Sequence, residues 1–142
     1  MSGIFIMNTA HKREPLTEND PVEARVKEML CLRRVYMAES KMLTICLSEL
    51  PNATGSANAA RLKQLQKWLA VIDIWLLLLS EDEAFVVKRH LIDGIDWPRV
   101  TLEYERIWGA AYAKAERTLR SYQKSALDKI VTFTDEYTGM LV

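Results

Sequence analysis

Leu79 to Gly109 reads LSEDEAFVVKRHLIDGIDWPRVTLEYERIWG, and its punctuation decides how the rest of the chain is arranged. Ser80 followed three residues later by Glu83 is a capping box. The hydroxyl can accept a first-turn amide while the carboxylate reaches back to the cap. Glu81, Asp82 and Glu83 also sit where a helix dipole favours negative charge. The helix they open should run through AFVVKRHLID and stop at Gly94, a residue suited to the left-handed conformation past a helix end. Asp96 can cap a short helix with Pro98 in its first turn, ending near Tyr104. A turn is expected at Glu105 and Arg106. A last helix should then run from about Ile107 or Trp108 to about Val131.

Upstream, Val22 to Leu50 contains neither Gly nor Pro. Val22, Val26, Met29, Leu30, Tyr36, Met37, Leu43, Leu47 and Leu50 recur at three- and four-residue steps, the pattern of one long amphipathic helix. Asp20 and Pro21 supply its start. PNATGSAN (Pro51 to Asn58) is the strongest break, and a second helix should follow from about Ala57 to Leu79. Leu62, Leu65, Trp68, Leu69, Ile72 and Leu76 share one of its faces. Two helices joined so closely should pack antiparallel. No internal repeat or strand-like alternation is present, so the expected fold is all-α: an N-terminal antiparallel helical hairpin followed by a three-helix unit. The expected division is an arm over 1–20, the hairpin over 21–79, the three-helix unit over 80–131 and a tail over 132–142.

Composition narrows the function. The 142 residues suit one domain, and nineteen basic residues balance nineteen acidic ones. Overall charge therefore gives no support for polyanion binding. Locally the balance fails: Arg106 to Ile130 holds six bases against two acids, while Glu81 to Glu105 holds seven acids against three bases. Cys31 and Cys46 have no metal-site spacing and read as small apolar residues in a reducing cytoplasm. The apolar patch Ile4 to Met7 has no basic residue before it, which argues against a secretory leader. WLAVIDIWLLLL (Trp68 to Leu79) is too short to cross a bilayer and carries Asp73. The sequence offers no Gly-rich phosphate loop, no partnered nucleophile and no acid cluster at metal spacing. No enzyme, cofactor or metal is expected.

The segment LSEDEAFVVKRHLIDGIDWPRVTLEYERIWGAAYAKAERTLRSY resembles the helix-turn-helix of sigma factor region 4. Leu79-Ser80-Glu81 matches that family's opening and Gly94 its glycine. Asp96-Trp97 matches its polar-aromatic pair, Val100-Thr101 its Ile-Ala, Ala111 an apolar position of its recognition helix, and Arg117 its closing arginine. VIDIWLLLLSEDEAFVVKRHLIDGIDWPRV is similar to phage late-gene regulators of the ArpU and RinA type, which carry such a motif behind an N-terminal helical part. The resemblance covers roughly residues 70–125. Glu105 stands where the family's turn has glycine, with Gly109 four residues later, and Thr101 replaces an alanine. The resemblance implies a DNA-binding transcriptional regulator in the cytoplasm. Its expected partners are double-stranded DNA and RNA polymerase, and its expected contacts are Arg99, Arg106, Tyr112, Lys114, Arg117, Arg120 and Lys124.

The residues themselves allow that reading and others. Val100, Tyr104, Ile107, Ala111, Ala115 and Leu119 can form an inner face. Lys114, Arg117, Arg120 and Lys124 can form an outward stripe suited to phosphates, or simply a solvated helix face. Trp97 and Trp108 read as core anchors and His90 as a surface residue. A helical assembly protein that binds another protein, and a small terminase subunit that binds packaging DNA, fit the same pattern. The long N-terminal helix exceeds what a helix-turn-helix needs for support, so homo-oligomerisation through the N-terminal helices is expected.

Overall fold

The computed structural model describes residues 20–49 and 51–137, with backbone alone for 51–56, and all their regular structure is helical. The expected arm lies outside these residues except for Asp20, as do Leu50 and residues 138–142. The fold is all-α.

Asp20 starts the first helix, its Oδ1 accepting from the amides of Val22 (2.9 Å) and Glu23 (3.2 Å). Instead of one long helix, the chain forms α1 (Pro21–Cys31) and α2 (Arg33–Glu49), divided at Leu32. The break costs little backbone bonding. The Leu32 amide still donates to Glu28, and the Leu32 carbonyl still accepts from Tyr36. It also lets two sets of apolar residues face different neighbours. α1 lies against the C-terminal helix, and α2 lies along α3 (Pro51–Leu77). Helix α3 starts at Pro51, where the sequence predicts a loop as far as Asn58. Proline fits the first helical position, and α2 is described as far as Glu49. Glu39 pairs with Arg61, Tyr36 meets Trp68, and Arg33 pairs with Asp73, so α2 and α3 run antiparallel.

The capping box forms as its spacing predicts and opens α4 (Glu81–Val86). The helix then widens into a π-helical segment, Val87–Ile92, in which the Asp93 amide reaches Lys88 at 2.8 Å. A π turn shifts the phase of a helix. Here Val86 enters one core while the adjacent Val87, with Leu91 and Ile92, enters another. Gly94 follows at φ +71°, and Asp96 caps α5 (Trp97–Trp108) by accepting from the Arg99 amide.

Helix α5 does not end near Tyr104. Glu105 and Arg106 are helical, and the chain leaves the helix at Gly109, with φ +96° and ψ 154°. That backbone region is essentially closed to residues with a Cβ. A short 3-10 turn, Ala110–Tyr112, leads to α6 (Glu116–Thr134), which starts about eight residues later than expected. The break resets the phase of the inner face. Val100, Tyr104 and Leu119 are buried, but Ile107, Ala111 and Ala115 are exposed, and Trp108 packs inward instead. The tail expected from Thr132 is helical to Thr134, whose buried hydroxyl accepts from Trp75 Nε1 at 3.0 Å.

Two apolar cores result. The larger joins α1, α2, α3, the π segment and the second half of α6 around Met29, Leu30, Leu65, Ile72, Trp75 and Ile130. The smaller joins α4, α5 and the first half of α6 around Val86, Val100, Tyr104 and Leu119. Cys31 is exposed rather than packed inside, because it closes α1 beside the break.

A Cβ placed on Gly109 would meet no atom within 4 Å, so its substitution tests backbone strain alone. Gly109→Ala should cost about 1–3 kcal/mol, read as a lower urea midpoint with an unchanged slope.

Candidate nucleic-acid interface

Helix α6 carries three of the seven expected contacts, Arg117, Arg120 and Lys124, and it is fixed at three heights. At its start Leu119 is fully buried, and Gln123 Oε1 lies 2.8 Å from His90 Nδ1. His90 is accordingly not a free surface residue. Its ring stacks on Trp97 at 3.9 Å, and the Arg120 guanidinium lies over Trp97 at 5.3 Å. In the middle, Glu83 accepts from Ser125 and Lys129, both at 2.8 Å. At its end Thr134 accepts from Trp75.

Helix α5 is pinned to α4 by aromatic packing. Tyr104 stacks on Trp108 at 4.3 Å, and Phe85 meets both edge-on. Tyr104 Oη donates to Asp82 Oδ1 at 2.7 Å. Burial, then this bond to an anion, pushes the phenol well above its ordinary range.

The outward side of α6 carries Arg117, Arg120, Ser121 and Lys124, all exposed. Steps of three and four residues place them on one face. Arg117 and Lys124 have no partner among the described residues. Arg120 donates to Glu116 Oε2 (2.6 and 2.8 Å), an acid in the first turn that offsets part of the row's charge. Lys114 does not belong to this stripe. It precedes α6 in the connection from Gly109 and is half-buried. Tyr112 is 63% exposed at the end of the 3-10 turn.

Arg99 and Arg106 are both on α5, seven residues apart and so on one face. Arg106 lies within the helix rather than in a turn, and is exposed. Arg99 is 71% exposed and meets Glu103 at 3.6 Å, an acid that also takes Arg89 at 3.3 Å.

The structure therefore gathers Arg117, Arg120 and Lys124 on one surface, with Ser121 among them, and leaves Lys114 outside. Ser121 and the compensating Glu116 were not expected from the sequence. Their signal was the step of three or four from Arg117, Arg120 and Lys124. Among the described residues no group of three His, Cys, Asp or Glu side chains could hold a metal ion, and no helix is long and apolar enough to cross a membrane. No protein-family model matches the chain, and no curated protein or solved structure matches it.

Burial alone would raise the Glu83 carboxyl, but Lys129, the Ser80 amide and Ser125 together hold it below the ordinary glutamate value of 4.5. The stability this contributes is fully present above that value and is lost as pH falls through the lower folded value. Glu83→Gln should destabilise the chain by about 1–3 kcal/mol at neutral pH. It should also flatten the acid limb of a melting-temperature profile below about pH 4.5.

Proposed function

We propose that this protein binds double-stranded DNA through the outward face of α6, as a transcriptional regulator with a helix-turn-helix of the sigma region 4 kind. The observation that carries the reading is the exposed row Arg117, Arg120 and Lys124 on a helix tied to the body at three heights. In a helix-turn-helix the second helix enters the major groove with its first turns toward the bases. On that geometry Arg117 and Ser121 lie nearest base edges, while Arg120 and Lys124 follow the phosphates. Arg99 and Arg106 of α5 and the exposed Tyr112 are flanking backbone contacts. RNA polymerase is the proposed protein partner, and the cytoplasm the proposed location. Catalysis has no part in this reading.

A second reading, a helical protein that docks another protein, draws on Glu116 beside Arg120 and on exposed Leu102 and Ile107 of α5. Titration of random-sequence duplex DNA across a salt series separates the two. The DNA reading expects log affinity to fall linearly with log salt, with a slope of about three to five released counterions. Lys124→Ala, which removes a phosphate contact, should lower that slope by about one. No binding at low salt removes the DNA reading.

A further inference from the structure

We propose that the outer face of α2 docks a second copy of this chain, with the two α2 helices side by side and parallel. Helix α2 has two apolar faces. One carries buried Tyr36 and half-buried Leu43 into the core shared with α3. The other carries Val35, Ala38, Met42 and Ile45. All four are exposed, Val35 and Ile45 to 56% and Met42 to 60%. At 3.6 residues per turn these four fall within an arc of about 80°. Their steps of three, four and three are those of alternating a and d positions, the spacing at which two helices interlock. A hairpin needs only one apolar face on each helix, and among the described residues nothing covers this second one.

The charges beside the stripe select both the occupant and its direction. Arg34 and Lys41 border one edge, and Glu39 borders the other. Two copies in antiparallel order would bring the basic edges together. In parallel order, Arg34 of one copy lies across from Glu39 of the other, the pairing that flanks parallel coiled coils. Arg34 is exposed and has no partner among the described residues. Glu39 already accepts from Arg61 at 2.9 and 3.1 Å, but a carboxylate has about four acceptor sites and can take a second guanidinium. Ala38 keeps the seam narrow at its centre. A contact of this length is at the small end of specific interfaces, so the association should be reversible and depend on concentration. It does not depend on whether α6 binds DNA.

Sedimentation equilibrium of the full chain tests this over ~1–100 µM, the range in which a micromolar dimer dissociates. A monomer–dimer equilibrium is expected. The double substitution Met42→Lys and Ile45→Lys should give a monomer throughout, with circular dichroism unchanged, and with a melting temperature that matches wild type at the lowest concentration, where both are monomers. A chain carrying Ala38→Cys with Cys31→Ser and Cys46→Ser should form an inter-chain disulfide under mild oxidation, since parallel order sets each position 38 against its twin. A wild-type monomer at ~100 µM overturns the proposal. So does a dimer that survives the double substitution, or a dimer without the cross-link. If the chain dimerises only after residues 1–19 are removed, that segment is the stripe's occupant instead, and the proposal also fails.

Discussion

The carboxylate of Glu83 is the constraint on which the arrangement depends. One oxygen accepts from the Ser80 amide at 2.9 Å and from Lys129 Nζ at 2.8 Å, and the other accepts from the Ser125 hydroxyl. The first bond starts α4, and the other two hold α6 against it. A charged residue that is only 6% exposed is costly unless its acceptor sites are filled, and here three donors fill them. With α6 held, Leu119 reaches the smaller core while Leu127, Ile130 and Val131 reach the larger one. One helix thus joins two cores, and its remaining face is left to solvent.

Local signals in the sequence were legible where one or two hydrogen bonds decide the outcome. Ser80 with Glu83, Asp96 with Pro98, Asp20 with Pro21 and the stop at Gly94 all describe short-range caps, and the structure forms each of them. What was not legible depends on distant packing. Leu32 breaks the first helix because α1 and α2 answer to different neighbours, which no run of apolar residues reveals. The π segment exists because Val86 and Val87 serve separate cores. The turn falls at Gly109 rather than Glu105 because Tyr104 and Trp108 must both meet Phe85, and that requires another helical turn.

The candidate interface follows the same division. Arg117, Arg120 and Lys124 were legible from spacing alone, since they lie within one uninterrupted helix. Lys114, Ala111 and Ala115 were misread because the Gly109 break shifts every phase upstream of Glu116. This also moves the exposed polar face of the last helix. IWGAAYAK, poor in polar side chains, is the end of one helix and a connection rather than the front of the last helix. Glu116 to Lys124 supplies polar and charged groups at the positions a groove-facing helix would present. A chain with balanced total charge can still attract a polyanion locally, because screening limits each phosphate to the charges within about 10 Å. The Glu116 carboxylate pairs with Arg120, while Arg117 and Lys124 have no ion pair among the described residues.

The most direct measurement is a map of backbone amide chemical-shift changes as a short random-sequence duplex is added to the full chain. The account predicts changes concentrated on Arg117, Arg120, Ser121 and Lys124, with smaller ones at Arg99, Arg106 and Tyr112. The α2–α3 pair should stay unperturbed. Changes confined to α2 and α3, or none at low salt, would contradict it.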